Sequence, residues 1–144
     1  MAAIRQANMT WEGTAVHGTG LLDAAMSGAF SALPVTWASR TEKADGRTSP
    51  EELLAAAHTS CYSIALSGGL ARAGTPPQKL EVSAVVTFAQ GEGGFKVASR
   101  ALTVRGTVAG LDAASFQKAA KDGCPISQAP RGNVQLSVAA TLAS

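Results

Sequence analysis

The chain has 144 residues, of which 46% are hydrophobic and 15% charged, and its formal net charge is +2 at pH 7. These totals fit one globular domain with a buried core and exclude an intrinsically disordered chain. The basic residues are scattered and aromatic residues make up only 5%, so nothing supports nucleic-acid binding. No apolar run approaches the ~18–20 residues that a membrane span needs.

The N-terminal segment MAAIRQANMTWEG does not have the form of a secretory signal, because no basic region precedes an apolar core. We therefore expect a cytoplasmic protein, whose thiols are kept reduced. In that compartment a pair of cysteines is more often catalytic or redox-sensing than a structural disulfide.

The first third of the chain predicts short strands. Residues 1–38 contain the segments ANMTWEG, GTGLLDAAMSG and ALPVTWA, separated by glycine turns, and Met9 and Trp11 share one face of the first segment. Such half-buried strands favour an antiparallel meander. The polar stretch at residues 39–48, SRTEKADGRT, predicts a loop.

A long helix is predicted to begin at Ser49. Ser49 can cap the free N–H groups, Pro50 suits the first helical position, and Glu52 completes a capping box. Gly74 and the two prolines that follow it end the helix. Spacings of three, four and seven residues predict one buried stripe, formed by Leu54, Ala57, His58, Cys61, Ile64 and Ala65.

A hairpin is predicted next. KLEVSAVVTFAQ, residues 79–90, alternates with a period of two, GEGG forms the turn, and FKVASRALTVRGTV, residues 95–108, forms the second strand. The alternation of the second strand becomes irregular near Arg100, which indicates a β-bulge. The face shared by apolar residues of the first strand consists of Leu80, Val82, Ala84, Val86 and Phe88.

Two short helices and a last strand complete the predicted order. Residues 111–123, LDAASFQKAAKDG, form a helix capped by Asp112 and ended by Gly123. Pro125 in CPIS begins a further helical turn, and NVQLSVAATL, residues 133–142, alternates as a strand.

The resulting order is βββ-α-ββ-α-α-β. Because the strands run in groups rather than alternating with helices, the class is α+β. No repeat, low-complexity tract or linker divides the sequence, so we expect a single domain over residues 1–144.

Most site chemistries lack the residue pattern that they require. His17, His58, Cys61 and Cys124 match no zinc-ligand spacing, so no metal is expected. The glycine-rich segment near the N-terminus lacks the lysine and helix of a phosphate-binding loop, and no serine lies in a nucleophile elbow.

The two cysteines allow two interpretations. Cys61 lies in an apolar stripe, where a free cysteine often only fills space and an unassisted thiol is inert. Cys124, however, precedes Pro125 at the start of a helical turn, where free N–H groups favour a thiolate. A guanidinium from Arg40 or Arg47 could lower the pKa of Cys61 in the same way.

Glu51 precedes Cys61 by ten residues, a separation of roughly 15 Å along a helix axis. The two side chains therefore cannot meet within one helix. If both belong to one site, they must come from two chains, and the small residues on this helix would permit two copies to pack closely across a two-fold axis.

Two segments together carry a family resemblance. SPEELLAAAHTSCYSIALS, beginning at Ser49, and KAAKDGCPISQA, around Cys124, resemble the OsmC/Ohr family of bacterial thiol-dependent peroxidases. WEG near the N-terminus and SRTEKADGRTSPEEL are similar to the OsmC branch, named after osmotically inducible protein C. The resemblance implies antiparallel sheets around a long central helix and an intertwined homodimer with active sites at the subunit interface.

The same resemblance implies roles for four residues. Cys61 matches the peroxidatic cysteine, Cys124 the resolving cysteine, Glu51 the glutamate at the helix start and Arg40 the arginine that precedes it. In the family the arginine and the glutamate come from across the dimer interface. The chain departs from the pattern in a slightly longer loop that contains Arg47 as a second candidate.

The function implied is reduction of organic hydroperoxides, with hydrogen peroxide a poorer substrate, in oxidative or osmotic stress defence. Cys61 would become a sulfenic acid and then a Cys61–Cys124 disulfide, which an external dithiol of the lipoyl type or similar reduces. No cofactor is needed. The alternatives are a non-enzymatic module that binds hydrophobic ligands and a redox sensor or disulfide oxidoreductase. Apolar groups expected near the thiol are Leu54, Ile64, Phe30 and Trp37.

Overall fold

The computed structural model describes residues 2–121, 124–129, 132 and 134–143. The chain forms two compact units, Met1–Leu53 and Leu54–Ser144, and each is described by itself. Within the described residues, no helix is both long enough and apolar enough to cross a membrane.

The first unit contains the predicted antiparallel meander. Its strands are β1 (Asn8–Glu12), β2 (Thr19–Asp23) and β3 (Leu33–Thr36), in the order β1-β2-β3. Gly20 of β2 pairs with Trp11, and a Cβ atom at Gly20 would lie 2.0 Å from the Met9 side chain and 2.7 Å from the Trp11 ring. The glycine therefore lets both side chains lie across β2 on one face, as the alternation in β1 predicted.

The loop predicted at residues 39–48 begins with a helical turn, α1 (Trp37–Thr41). The turn forms because Thr36 and Ser39 make a capping box, in which each side chain accepts the other's backbone N–H at 3.0 Å. Arg40 therefore lies on this helix rather than in an irregular loop, which gives its side chain a defined starting point.

Helix α2 (Pro50–Arg72) begins and ends where the sequence predicted. The Ser49 hydroxyl accepts the N–H of Glu52 at 3.1 Å, and the carboxylate of Glu52 accepts the Thr48 hydroxyl at 2.6 Å. After the last turn, Gly74 adopts a φ of 83°, which suits a glycine at a helix end.

The buried stripe of α2 differs from the prediction. Of the predicted residues, His58 is buried but Ile64 is 74% exposed. The buried row continues from His58 at four-residue steps through Tyr62, Leu66 and Leu70. Cys61 is half-buried beside this row. The small residues of α2 make its apolar pattern weak, and a buried tyrosine is accommodated because its hydroxyl donates to the backbone oxygen of Ala120.

The second unit contains a mixed sheet of β4 (Lys79–Gly91), β5 (Gly94–Thr107) and β6 (Gln135–Leu142). The hairpin is confirmed, and so is the bulge: Thr87 pairs with Ser99 and Phe88 with Val97, which leaves an extra residue in β5. One pairing departs from the expected antiparallel sheets, because β6 runs parallel to β5. The two helices between these strands provide the crossover that a parallel pair requires.

Helix α3 (Ala113–Lys121) is capped by Asp112, whose carboxylate accepts the Ser115 N–H at 2.9 Å. Its predicted end at Gly123 lies outside the described residues. Helix α4 (Pro125–Gln128) begins at Pro125 as predicted. The core of this unit joins α2, β5, α3 and the start of α4 through Tyr62, Leu66, Leu70, Leu102, Val104, Val108, Phe116, Ala120 and Cys124.

Candidate active site

Two of the predicted site residues meet in the first unit. Arg40 Nε lies 2.9 and 3.2 Å from the two Glu51 carboxylate oxygens, and Arg40 Nη2 lies 2.8 Å from Oε1. The Glu51 side chain is only 10% exposed, and the guanidinium carbon of Arg40 lies 5.9 Å from the Trp37 ring centroid. This forked contact and the ring fix the direction of the guanidinium.

The second candidate arginine has a different environment. Arg47 contacts Asp45 at 3.4 Å, and both side chains are largely exposed. An exposed pair of this kind contributes little energy and holds neither side chain firmly. Of the two arginines, Arg40 is thus the one that contacts Glu51 and is held in place.

A cavity of about 690 Å³ lies in the first unit, and Arg40 is part of its wall. Its lining is mostly apolar, with Met9, Trp11, Trp37 and Leu53 among the contributing side chains. An apolar wall with one cationic group suits a ligand that has a hydrocarbon body and a polar end. Of the two aromatic residues expected near the site, Trp37 lines this cavity.

The two predicted cysteines meet in the second unit. Cys61 lies in the middle of α2, Cys124 caps the N-terminus of α4 and is fully buried, and the two thiols lie close enough for each to shift the pKa of the other. Both are free thiols. Cys124 Sγ also accepts the Ser127 backbone N–H at 3.4 Å and lies 3.2 Å from Ser127 Oγ.

The surroundings shift the pKa values of the two thiols in opposite directions. Burial raises the pKa of Cys61, and the hydrogen bond and charge of Cys124 raise it further, against a lowering by the backbone of Ile126. Burial also acts to raise the pKa of Cys124. Hydrogen bonds outweigh this effect and lower the pKa of Cys124; they involve the side chain and backbone of Ser127, then Cys61 and the backbone of Ile126. Cys61 is therefore harder to ionise than an exposed cysteine.

Three buried polar residues beside the thiols were not predicted as site residues. His58 Nε2 lies 2.7 Å from Ser127 Oγ, and Arg100 Nη2 donates to the backbone oxygen of Ile126 at 3.3 Å. His58 is fully buried, Ser127 is 5% exposed and Arg100 is 3% exposed.

Of these residues, only Ser127 could have been linked to the thiols from the sequence. Ser127 lies three positions after Cys124, the spacing at which a helix cap meets its first free N–H. The contacts of His58 and Arg100 have no such local signal. In the described ranges, the thiol site included, no three residues of the types His, Cys, Asp and Glu form a cluster that could hold a metal ion.

Comparison with known proteins gives three findings. A family model described as OsmC-like protein matches residues 42–139. Peroxiredoxin OsmC of Escherichia coli (strain K12) is 36% identical over 129 residues, which cover 88% of this chain and 89% of the relative. The crystal structure of the organic hydroperoxide resistance protein OhrB of Bacillus subtilis aligns with a TM-score of 0.73 and 25% identity, over 94% of this chain and 98% of that one.

An OsmC-like protein from Mycoplasma pneumoniae aligns over 100% of both chains with a TM-score of 0.74 at 12% identity. At that identity the likeness speaks for the fold alone. These alignments cover nearly the whole chain, and both units therefore belong to the shared architecture.

Proposed function

Since the chain belongs to the OsmC-like family, we propose that it is a cysteine-based peroxidase that reduces organic hydroperoxides. The observation that carries the proposal is the proximity of Cys61 and Cys124, two free thiols from distant parts of the sequence, each of which shifts the pKa of the other. Such a pair can pass through a sulfenic acid to a disulfide without any metal or organic cofactor.

The proposed reaction begins at Cys61. Its thiolate attacks the distal oxygen of the hydroperoxide, the O–O bond breaks, and the alcohol leaves after its oxygen gains a proton. Cys61 is then a sulfenic acid, and Cys124 attacks its sulfur to form a disulfide and release water. An external dithiol, of the lipoyl type or similar, reduces the disulfide by thiol exchange and restores both thiols.

Arg40 supplies the positive charge that favours the Cys61 thiolate, and Glu51 orients Arg40. Burial opposes ionisation of Cys61, so a fixed guanidinium beside it would favour the thiolate and the negative charge that develops on the peroxide oxygens. Glu51 holds the guanidinium by a forked contact and need not transfer a proton. Because Glu51 cannot reach Cys61 within one α2 helix, we assign this pair to the thiol of the other subunit in a homodimer.

The apolar cavity supports an organic substrate. A hydroperoxide with an alkyl body can place that body against Met9, Trp11 and Trp37 while its peroxide end meets Arg40. Hydrogen peroxide has no apolar part to bind there. The Bacillus subtilis protein is named an organic hydroperoxide resistance protein, which points to the same substrate class.

Two alternatives make different use of the same features. The cavity by itself would serve a non-enzymatic protein that binds hydrophobic ligands, and the thiol pair by itself would serve a redox sensor or disulfide oxidoreductase. A ligand-binding protein would bind apolar probes without consuming cumene hydroperoxide. A sensor or oxidoreductase would exchange with protein thiols faster than it reacts with peroxides.

The proposal is tested by consumption of cumene hydroperoxide and hydrogen peroxide with dihydrolipoamide or dithiothreitol as reductant. We expect the organic hydroperoxide to be consumed with the higher kcat/KM. Cys61→Ser should abolish consumption because the attacking sulfur is gone. Cys124→Ser should permit one turnover and leave a sulfenic acid on Cys61 that dimedone traps.

Mass spectrometry of the wild-type product should show the Cys61–Cys124 disulfide. Full activity in Cys61→Ser would contradict the proposal, and so would a sulfenic acid that accumulates on Cys124 of the wild type instead of on Cys61.

A further inference from the structure

A chain of buried polar side chains extends from Cys124 away from Cys61. Cys124 Sγ lies 3.2 Å from Ser127 Oγ, which lies 2.7 Å from His58 Nε2. His58 and Cys124 are fully buried and Ser127 is 5% exposed. The peroxidase mechanism proposed above needs a nucleophilic Cys124 but assigns no role to the other two residues.

The position of the imidazole proton follows from what surrounds it. Within the part of the chain that the structure describes, His58 Nδ1 has no hydrogen-bond partner, whereas Nε2 has Ser127 Oγ. A buried N–H without an acceptor is costly, so the proton of the neutral ring belongs on Nε2. Burial first, and then the positive charge of Arg100, lower the pKa of His58 and keep the ring neutral.

The direction of the hydrogen bonds is then determined. His58 Nε2–H donates to Ser127 Oγ, so that the Ser127 hydroxyl proton is free to point at Cys124 Sγ, to which the Ser127 backbone N–H also donates at 3.4 Å. Two donors aimed at one buried sulfur stabilise a negative charge on it more than a neutral thiol.

We infer that Ser127 and His58 are positioning residues for resolution: the Ser127 hydroxyl, held by His58, stabilises Cys124 as the thiolate that attacks the Cys61 sulfenic acid. This inference rests on the proposed peroxidase function and adds two residues to it. Neither residue touches the peroxide, since both act through the sulfur of Cys124.

Disulfide formation needs only the two cysteines and one proton. The Cys124 thiol first loses its proton to solvent, and the thiolate electron pair then forms the bond to the sulfur of Cys61. The S–O bond of the sulfenic acid breaks with its electrons going to oxygen, which takes up one proton and leaves as water. Cys124 is oxidised and Cys61 is reduced, both to the disulfide level, so no further oxidant is needed.

The other titratable groups around Cys124 do not supply this stabilisation. Cys61 also lowers the pKa of Cys124, but in the resolving step its sulfur is the atom that Cys124 attacks. Burial and the charge of Cys124 raise the pKa of Tyr62 to about 12, and its hydroxyl donates to the backbone oxygen of Ala120. Arg100 donates to the backbone oxygen of Ile126 and acts on His58. Among the described residues around Cys124, Ser127 is the side chain that remains.

The test uses Ser127→Ala, which removes only the hydroxyl oxygen. The pH titration of Cys124 is followed by the ultraviolet absorbance of the thiolate in a Cys61→Ser background, where Cys124 is the one remaining cysteine. We expect the midpoint to move to higher pH in Ser127→Ala. In the protein with both cysteines, disulfide formation after one equivalent of hydroperoxide should slow about tenfold at pH 7, the effect of one lost hydrogen bond to a charged group.

Two controls show whether the effect is specific. Ser83→Ala, an exposed serine of β4, should leave the titration and the rate of disulfide formation unchanged. The formation of the Cys61 sulfenic acid, measured in a Cys124→Ser background, should be equally fast with and without Ser127→Ala. An unchanged Cys124 midpoint in Ser127→Ala overturns the inference.

The part played by His58 has its own tests. His58→Gln should move the Cys124 midpoint in the same direction as Ser127→Ala, and the double variant should move it no further. Since a substitution at a buried residue can prevent folding, nitrogen NMR of the reduced wild-type protein gives an independent measurement, in which the proton should lie on Nε2. A proton on Nδ1 would overturn the role of His58.

The titration contains no peroxide, so it reports on Cys124 even if the protein proves to have no peroxidase activity. Conversely, if the wild-type protein is active but Ser127→Ala leaves the Cys124 midpoint unchanged, this inference fails and the proposed function stands.

Discussion

Arg40 shows how much a single side chain depends on its geometry. It donates two nitrogens to one carboxylate and faces the Trp37 ring, and both contacts need the planar guanidinium. Lysine keeps the charge but cannot make the fork. A substitution by lysine therefore separates the need for a positive charge from the need for its direction.

We expect Arg40→Lys to lower kcat/KM for an organic hydroperoxide by on the order of 10²-fold, the usual effect of misplacing one group that stabilises a developing charge. Arg47→Lys is the matched control and should keep wild-type kcat/KM, because Arg47 makes only an exposed contact with Asp45.

The measurement is steady-state peroxide consumption by the two purified variants, with circular dichroism to confirm that both are folded. A loss of activity in Arg47→Lys together with wild-type activity in Arg40→Lys would transfer the role to Arg47.

At the scale of elements, the second unit depends on a close approach between β5 and α3. A Cβ atom at Gly106 of β5 would lie 2.5 Å from the Phe116 ring of α3. Phe116 is fully buried, so the ring has no room to move away. Gly106 is thus the residue that lets the helix rest on the strand.

Gly106→Ala should lower the free energy of unfolding by about 1–3 kcal/mol, because the added methyl group overpacks the core. Gly69→Ala provides the opposite control. Gly69 lies inside α2, and a Cβ atom there would meet the flexible end of Arg72 at 4.0 Å. Alanine should therefore raise the free energy of unfolding by about 0.5–1 kcal/mol.

Urea denaturation of both variants measures these changes. Equal stability of Gly106→Ala and wild type would show that β5 and α3 separate more easily than the contact indicates.

For the molecule as a whole, we propose that each active site combines residues of two chains. Arg40 and Glu51 meet in one unit, and Cys61 and Cys124 meet in the other. The homodimer, the single domain over residues 1–144 and the cytoplasmic location stay predictions. The first of these has a direct test, because two inactive variants should complement each other if the site is shared between subunits.

We expect Arg40→Ala and Cys61→Ser homodimers each to be inactive. Their heterodimer, isolated from co-expressed chains with different tags, should recover about half of the wild-type activity, since one of its two sites combines an intact arginine with an intact cysteine. Peroxide consumption by the purified heterodimer is the measurement. No recovery in a folded heterodimer would place the arginine and the thiol of each site on the same chain.

Much of the fold could be predicted because its signals are local. Ser49, Pro50 and Gly74 bound α2 by the chemistry of helix ends, and the two-residue alternation of β4 and β5 identified the hairpin. The family and the α+β class are confirmed, and Arg40 and Glu51, which the resemblance assigned to one site, are in contact. The capping box that makes α1 is also a local signal, but the many polar residues around Arg40 favour a loop in the sequence pattern.

The amino-acid pattern alone identifies the reactive groups, which are two cysteines, an arginine and a glutamate at a helix start. It also identifies most of the helices and strands that carry them. Tertiary structure decided which residues meet. The direction of β6, the burial of Tyr62 in place of Ile64 and the contact of His58 with Ser127 all depend on packing between elements. His58 and Ser127 are 69 positions apart, and a period of two or 3.6 residues carries no information over that distance.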